Sequence, residues 1–296
     1  MIACCTAFLL SSSMVSKKPP WLKKKIDFAS LRAMEAITRG LHLHTICESA
    51  MCPNQSECFG RGTATFLILG DRCTRNCRFC NVKNGQPEPP DPEEPIRIAQ
   101  AVKSLGLRYA VLTSVTRDDL EDGGADHFFQ AIRAIKTLNP GVKVEVLVPD
   151  FVHTIDRVIE AGPEVINHNL ETVPRLYQRV RPGANYQRSL NLLERVKRRG
   201  KNTYTKSGLM LGLGETEEEV VRVMGDLRRG GCDMLTLGQY LAPSKAHLPV
   251  CDYVHPEKFE TYKEVAENLG FLFVASGPFV RSSYFAEAWL QKYGIR

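Results

Sequence analysis

From residue 63 onward, short apolar runs alternate with longer stretches in which apolar residues recur at helical spacing. An apolar run of about four to eight residues bounded by turn residues is typical of a buried strand, whereas recurrence every three or four residues is typical of a helix. The pattern predicts helices at 92–105, 125–138, 154–161, 187–199, 215–229 and 256–269. It predicts strands at 65–69, 109–114, 142–148, 165–170, 203–211, 234–237 and 271–275.

Strands that alternate with helices predict a parallel sheet covered by helices. Six such units are too few for a closed eight-stranded barrel, so we expect an α/β fold built as a partial, TIM-like (β/α)6 barrel. We expect the barrel at 63–277, an N-terminal extension at 1–62 and a C-terminal tail at 278–296. Asp27 is a predicted N-cap in the extension, and the serines at 282 and 283 would cap a helix at 284–293 if they had no other role.

The composition is that of an ordinary soluble protein, with 43% hydrophobic and 24% charged residues among 296. The net charge of +6 is compatible with an acidic partner, although a solvated surface is the commoner reason for such a value. The first ten residues are apolar but too few to span a bilayer, and they lack the basic start of a signal peptide. We therefore expect a cytoplasmic protein with no membrane segment.

Residues 1–13 are unusual for an N-terminus, and the sequence from Met14 onward is typical of one. An assigned start that lies too far upstream would explain this stretch, and an organellar targeting piece is the alternative. The first explanation is favoured because transit peptides are rich in arginine and no arginine precedes Arg32.

Ten cysteines are many for such a chain, and six of them fall between residues 47 and 80. Disulfides are the ordinary alternative, but the spacing is of the metal-binding type and no secretory signal is evident. Three cysteines, Cys73, Cys77 and Cys80, follow a predicted strand with the spacing Cys-x3-Cys-x2-Cys. Soft thiolates suit a [4Fe–4S] cluster, and three ligands for four irons leave one iron open.

Two other interpretations of these three thiols are weaker. A structural zinc site usually has paired Cys-x2-Cys or added histidines, and no histidine lies close in the sequence. One helix face would also bring the three positions together, but the residues between them are typical of a loop. Three arginines flank these cysteines: Arg72, Arg75 and Arg78. They are expected to lower the thiol pKa values and to offset part of the negative charge of a cluster.

A second triad has the spacing Cys-x4-Cys-x5-Cys and consists of Cys47, Cys52 and Cys58. It lies in sequence rich in Pro, Gly and Asn, which predicts a loop. One triad alone could be structural, but two triads separated by a single predicted strand indicate two clusters. His42 and His44 are not included as ligands, because their alternation predicts opposite faces of an extended segment, and Cys232 and Cys251 are interpreted as packing or surface residues.

In folds of this kind the chemistry lies at the C-terminal ends of the strands. Polar residues follow the predicted strands at 113–126, 167–172, 179–184 and 206–216. No acid–base pair stands out among them, and Gly212-Leu213-Gly214 lacks the spacing and the acidic partner of a dinucleotide-binding loop. Three aspartates would serve equally well as helix caps or as ligands: Asp118, Asp119 and Asp122.

The stretch from Cys73 to Cys80 resembles the signature of the radical SAM superfamily, including the aromatic Phe79 before the last cysteine. The resemblance implies that the open iron chelates the amino and carboxylate groups of S-adenosylmethionine. It also implies reductive cleavage of a carbon–sulfur bond to a 5′-deoxyadenosyl radical, with Phe79 beside the adenine.

With both triads in view, the chain resembles the lipoyl synthase family over about residues 17 to 296. That family carries both cysteine spacings and a C-terminal Arg-Ser-Ser-Tyr, which stands here at 281–284. Further family-like runs are Lys18-Pro19-Pro20-Trp21-Leu22, Arg117-Asp118-Asp119-Leu120, His168-Asn169-Leu170-Glu171-Thr172 and Pro243-Ser244.

The resemblance implies insertion of two sulfur atoms, at C6 and C8, into an octanoyl group on a lipoyl carrier domain. One [4Fe–4S] cluster would generate radicals, and the auxiliary cluster at Cys47, Cys52 and Cys58 would be consumed as the sulfur source. Ser283 would ligate the fourth iron of the auxiliary cluster, with Ser282 as the rival. The resemblance also implies that Glu171 contacts the ribose of S-adenosylmethionine and that three residues lie at its methionine end or nearby: Thr113, Asn169 and Lys206.

The implied partners are the octanoylated carrier, an electron donor such as ferredoxin or flavodoxin, and iron–sulfur assembly machinery, with no nucleic acid or membrane. Another sulfur-inserting radical enzyme would share the first triad, for example one like biotin synthase or a methylthiotransferase acting on tRNA. The tRNA enzymes generally carry an added RNA-binding module, for which no sequence is left. An electron carrier with two clusters would need four protein ligands for each cluster and no barrel.

Overall fold

The computed structural model describes residues 18–60, 63–151 and 153–293, so the expected start at Met14 lies outside the described residues. The strands are β1 (His44–Thr45), β2 (Thr65–Ile68), β3 (Arg72–Cys73), β4 (Lys83–Asn84), β5 (Tyr109–Ser114), β6 (Lys143–Leu147), β7 (Val165–Asn167), β8 (Tyr204–Leu211), β9 (Met234–Gln239) and β10 (Phe273–Ser276). The helices are α1 (Phe28–Gly40), α2 (Ile46–Ser49), α3 (Gln55–Gly60), α4 (Glu94–Ser104), α5 (Ala125–Leu138), α6 (Ile155–Glu160), α7 (Tyr177–Val180), α8 (Tyr186–Arg199), α9 (Glu217–Arg229), α10 (Pro256–Asn268) and α11 (Ala288–Tyr293).

Seven parallel strands form the main sheet in the order β2-β5-β6-β7-β8-β9-β10, and β1 joins β2 in the antiparallel sense. A separate two-stranded ladder pairs β3 with β4. Each of the first six parallel strands is followed by at least one helix, and β10 is the seventh strand that the apolar pattern predicted. The predicted α/β fold with six β-then-α units is therefore confirmed.

The local sequence explains these elements. Every residue of β2 and of β9 is buried, as expected for parallel strands with both faces covered. Helix α9 begins with a capping box in which Thr216 and Glu219 satisfy each other's backbone N–H groups. The predicted N-cap Asp27 is confirmed, because its carboxylate accepts a hydrogen bond of 2.9 Å from the N–H of Ala29.

Apolar side chains form two large clusters between the sheet and its helices. One packs α4, α5 and α6 against β2, β5 and β6, and the other packs α9 and α10 against β8 and β9. Phe128 and Phe151 meet edge to face in the first cluster, with ring centroids 5.9 Å apart. No helix in the described ranges is both long and apolar enough to cross a membrane.

The C-terminal tail differs from its prediction, because the helix expected at 284–293 begins only at Ala288. Phe285 has a φ of +50°, and a left-handed residue of this kind interrupts a right-handed helix. The two serines before it are therefore not the N-cap of a helix. Farther along, the buried Trp289 packs among the first residues of the barrel strands and donates a hydrogen bond of 3.1 Å to the Tyr109 hydroxyl.

Candidate metal centres and cofactor site

The first cysteine triad lies on the loop that follows β2. Cys73 ends β3, and Cys77 and Cys80 come before β4. The N–H of Thr74 donates to the carbonyl of Thr116 at 3.0 Å, which ties this loop to the segment after β5. Two more backbone bonds hold the loop to other elements: Arg78 N–H donates to the carbonyl of Val180 at 2.9 Å, and Leu248 N–H donates to the carbonyl of Arg78 at 3.1 Å.

The thiols of this triad lie in a partly buried environment of backbone donors. The sulfur of Cys73 accepts hydrogen bonds from the N–H groups of Arg75 at 3.4 Å and Thr116 at 3.3 Å. Burial raises the pKa of Cys77 to about 11 and that of Cys80 to about 12. Bound iron would stabilise the thiolate form of these partly buried thiols.

Arg75, one of the flanking arginines expected to lower these thiol pKa values, has two acidic partners of its own. Its guanidinium makes a bidentate pair with Asp118, through two hydrogen bonds of 2.8 Å, and also bonds the Asp150 carboxylate. The arginine that opposes the effect of burial on the pKa of Cys77 is Arg181, which follows α7. Arg75 therefore organises the loop rather than activating the thiols.

Asp150 joins several elements at this rim and was not singled out in the sequence. Its carboxylate lies 3.2 Å from Nε2 of His168 and 3.2 Å from Nη2 of Arg181, and its side chain is only 2% exposed. Burial acts to raise the pKa of Asp150, but the hydrogen bond from His168 and the two guanidiniums outweigh it and hold the pKa well below its usual value. Its position just after β6 was the available signal.

The segment after β7 carries two of the predicted cofactor-binding residues. Asn169 Nδ2 donates to a carboxylate oxygen of Glu171 at 3.0 Å. Glu171 has a φ of +67°, although it is not a glycine, and residues held in this region cluster at functional sites. Burial raises the pKa of Glu171, and the charge of Arg181 opposes that effect.

These two side chains leave room for a polar ligand. Asn169 Oδ1 is buried and accepts no hydrogen bond within the described ranges. A Cβ added at Gly208 in the neighbouring strand β8 would lie 2.9 Å from that same oxygen. Position 208 must therefore be a glycine for Asn169 to occupy its place. A free amide oxygen beside a carboxylate fits the hydroxyl and ammonium donors of S-adenosylmethionine.

The other predicted cofactor-binding residues bond to, or pack against, other parts of the barrel. Thr113 donates its hydroxyl hydrogen to the carbonyl of Leu147 at 3.0 Å. Lys206 is 2% exposed, and its ammonium pairs with the fully buried Glu145 at 2.8 Å. Phe79 packs against the second apolar cluster. The structure thus brings Asn169 and Glu171 together, and contacts of the other three with a cofactor stay predictions.

The second triad lies on two short helices where the sequence predicted a loop. Cys47 belongs to α2, Cys58 belongs to α3, and Cys52 lies between them. Charge on Cys52 would raise the pKa values of both neighbours, as expected of thiols that face one another. Burial raises the pKa of Cys58 to about 12. Three soft donors, of which Cys47 is buried and the other two are partly buried, again fit an iron–sulfur cluster.

Neither triad forms the compact ligand set of a single metal ion in the part of the chain that the structure describes. There, no three His, Cys, Asp or Glu side chains converge closely enough for a single metal ion. A cluster of four irons spreads its ligands more widely than one tetrahedral zinc ion does. The three aspartates near β5 are engaged in a cap or in ion pairs: Asp118 with Arg75, Asp119 with Arg117, and Asp122 with the N–H groups of Gly124 and Asp126.

The C-terminal tail runs between the two triads. Ser282 accepts a hydrogen bond of 2.6 Å from Asn169, whereas the Ser283 hydroxyl forms no hydrogen bond within the described ranges. Burial lowers the pKa of Arg281, and the charges of Cys52 and Glu171 act in the opposite sense. Arg281 therefore lies near a thiol of the second triad and near the predicted cofactor site.

Comparison with known proteins shows which families this chain resembles. Residues 67–227 match the Radical SAM superfamily. A lipoyl synthase of Caldanaerobacter subterraneus subsp. tengcongensis is 59% identical over 280 residues, which cover 94% of this chain and 98% of the relative. A lipoyl synthase of Proteus mirabilis is 56% identical over 285 residues, which cover 94% of this chain and 88% of the relative.

Solved structures show a similar fold at low sequence identity. Methylornithine synthase (PylB) has a TM-score of 0.54 and 15% identity, with 78% of this chain and 81% of that chain covered. Streptococcus suis SuiB bound to S-adenosylmethionine has a TM-score of 0.54 and 12% identity, with 81% and 58% covered. At such identity these structures show the shared fold alone.

Proposed function

The chain belongs to the lipoyl synthase family of the radical SAM superfamily, and we propose that it inserts two sulfur atoms, at C6 and C8, into an octanoyl group. It is a sulfur-inserting enzyme that uses S-adenosylmethionine and iron–sulfur chemistry. The observation that carries the proposal is the tail, because one segment bonds Glu57, beside the second triad, through Tyr284 and bonds the predicted cofactor site at Ser282.

The first triad is proposed to hold a [4Fe–4S] cluster with one open iron. Cys73, Cys77 and Cys80 supply its thiolates from a loop that is fixed by backbone bonds to three other segments. When bound, the clusters and S-adenosylmethionine supply the electron, the 5′-deoxyadenosyl radical and the sulfur of the reaction. Asn169 and Glu171 would accept hydrogen bonds from the amine and hydroxyl groups of S-adenosylmethionine, which the unpartnered Asn169 Oδ1 beside the Glu171 carboxylate supports.

Three further contacts with S-adenosylmethionine are proposed on the family resemblance. Phe79 would lie beside the adenine, and Thr113 and Lys206 would lie at or near the methionine end. Lys206 would then have to share its ammonium with Glu145, its present partner.

The second triad is proposed to hold the auxiliary [4Fe–4S] cluster. Cys47, Cys52 and Cys58 would bind three of its irons, and Ser283 would bind the fourth. Ser283 is favoured over Ser282 because Ser282 already accepts a hydrogen bond from Asn169. An alkoxide is a harder and more easily protonated ligand than a thiolate, which suits an iron that must be released.

This assignment divides the chain into three functional parts. Residues 1–62 would carry the auxiliary cluster, residues 63–277 would form the radical SAM barrel, and residues 278–296 would close over the auxiliary cluster. The substrate would be an octanoylated lipoyl carrier protein in the cytoplasm. A ferredoxin or flavodoxin would supply electrons, and assembly machinery would rebuild the consumed cluster.

The experiment that tests the proposal is cleavage of S-adenosylmethionine by the anaerobic, reduced protein, with and without octanoyl carrier. We expect 5′-deoxyadenosine to form and the carrier to stimulate its formation. An electron carrier with two clusters would form none. A different sulfur-inserting radical enzyme would form it without responding to the octanoyl carrier.

A further inference from the structure

Lys24, in the basic segment before α1, is bound to the loop of the second triad. Its ammonium lies 2.5 Å from the side-chain oxygen of Asn54 and 2.5 Å from a carboxylate oxygen of Glu57. Asn54 is fully buried. Both partners lie between Cys52 and Cys58, so Lys24 contacts the part of the loop that separates two proposed iron ligands.

The same ammonium also faces the C-terminal tail. It lies 5.0 Å from the ring centroid of Phe279 and 5.0 Å from that of Tyr284, in cation–π geometry. The tail and the loop also contact each other directly. Tyr284 donates its hydroxyl hydrogen to the Glu57 carboxylate at 3.1 Å, and Asn54 Nδ2 donates to the carbonyl of Phe279 at 2.7 Å.

Three segments that are far apart in the sequence therefore meet at one cation. We propose that Lys24 is a positioning residue that holds the C-terminal tail against the auxiliary triad, so that the Ser283 hydroxyl stays within reach of the auxiliary cluster. Lys24 and its four partners, Asn54, Glu57, Phe279 and Tyr284, are called the Lys24 clamp. This inference rests on the proposed function, because it assigns the clamp a role in presenting the fourth ligand.

The chemistry of the ligand explains why a clamp is needed. A serine hydroxyl binds iron less readily than a thiolate, so its position has to be imposed by the surrounding structure. Ser283 precedes Tyr284 directly, and Tyr284 is held from both sides by Lys24 and Glu57. The residue before Ser283, Ser282, is held by the hydrogen bond from Asn169. Ser283 thus lies between two anchored residues.

The segment that carries Lys24 is seated independently of the clamp. Leu22 is 1% exposed, and the ring of Trp21 packs edge to face on that of His255 at 5.1 Å. Removing the ammonium of Lys24 should therefore release the tail without detaching this segment. The exposed neighbours Lys23 and Lys25 carry the same charge and make no side-chain contact with the clamp, so they provide matched controls.

The test compares Lys24→Met with Lys23→Met, Lys25→Met and Lys24→Arg in reconstituted protein. Octanoyl carrier, S-adenosylmethionine and reductant are supplied, and 5′-deoxyadenosine and lipoyl product are both measured. We expect Lys24→Met to keep forming 5′-deoxyadenosine while lipoyl product falls at least tenfold. The two control lysines should behave as wild type, and Lys24→Arg should restore most of the product.

A second readout does not depend on turnover. With Cys73, Cys77 and Cys80 replaced by Ala, the protein retains only the auxiliary triad, and transfer of its iron to a chelator is followed optically. We expect Lys24→Met to speed this transfer severalfold. Adding Ser283→Ala should cause no further increase, because both changes remove the same ligand.

The inference is overturned if Lys24→Met transfers auxiliary iron at the wild-type rate, or if its effect adds in full to that of Ser283→Ala. Should Lys24→Met fail to fold, Tyr284→Phe removes only the hydroxyl that bonds Glu57, and the same criteria apply to it. Failure of the proposed function looks different, because wild-type protein would then form no lipoyl product, whether or not it forms 5′-deoxyadenosine.

Discussion

Asn169 Nδ2 donates a hydrogen bond of 2.6 Å to the Ser282 hydroxyl, and this bond joins the segment after β7 to the C-terminal tail. The bond occupies one of the two adjacent serines. Ser283 is left with a hydroxyl that forms no hydrogen bond within the described ranges. The two serines, which the sequence alone could not separate, are therefore distinct in the folded chain.

The first prediction concerns these two serines. Ser283→Ala should preserve 5′-deoxyadenosine formation and abolish most lipoyl product, because the auxiliary cluster loses its fourth ligand. Ser283→Cys should hold that cluster more firmly, since a thiolate is a softer ligand for iron. Ser282→Ala is the comparison, because it removes one anchor of the tail but not the ligand: it should cost about 1 kcal/mol of stability through the lost hydrogen bond and lower the lipoyl product less than Ser283→Ala does. Normal lipoyl product from Ser283→Ala would remove the ligand role.

The second prediction concerns the number of clusters. Two triads that each hold a [4Fe–4S] cluster give about eight irons per chain. Replacing Cys73, Cys77 and Cys80 by Ala should halve the iron and abolish cleavage of S-adenosylmethionine. Iron and sulfide analysis with Mössbauer spectra measures the first result, and full cleavage in the triple variant would contradict the assignment.

The third prediction concerns Lys206, whose ammonium pairs with Glu145 in the barrel interior. Lys206→Met would leave Glu145 buried without its cation, which should cost about 3–5 kcal/mol in denaturant unfolding. Adding Glu145→Gln should recover most of that loss. If Lys206 also contacts S-adenosylmethionine, the folded double variant should bind it more weakly, and unchanged binding would assign Lys206 a structural role only.

The fourth prediction concerns Asp150. Asp150→Asn removes the carboxylate that pairs with the buried Arg181, and we expect a loss of about 3–5 kcal/mol of stability. The pKa of Asp150 is lowered in the folded protein, so its contribution is complete above the ordinary value of 3.8 and is lost only in stronger acid. The difference from wild type should therefore stay constant through the neutral range. A difference that changes within that range would refute this interpretation.

Asp118→Asn is the matched control for Asp150→Asn. Asp118 pairs with Arg75, which also bonds Asp150. The side chain of Asp118 is 49% exposed, so we expect a loss of about 0–1 kcal/mol. Equal losses in the two variants would mean that burial at Asp150 does not decide the outcome.

The sequence predicted the order of strands and helices because burial on both faces of a parallel sheet produces apolar runs, as in β2 and β9. The spacing of the cysteines also indicated two triads, and their role as cluster ligands stays a prediction. The alternative for the tail, a helix at 284–293 capped by the two serines, does not hold, since Phe285 adopts a left-handed conformation that no local pattern reveals. Asp150 and Lys24 were missed because their partners lie far away in the chain, and periodicity reports burial rather than long-range pairing.

Insertion of sulfur from the auxiliary cluster is the central claim, and isotope labelling tests it most directly. The protein is reconstituted with heavy-isotope sulfide, freed of excess sulfide and given octanoyl carrier, S-adenosylmethionine and reductant for a single turnover. Mass spectrometry of the carrier then reads its sulfur content. We predict a lipoyl group in which both sulfur atoms are heavy. A carrier that gains no sulfur, or only light sulfur, would contradict the claim.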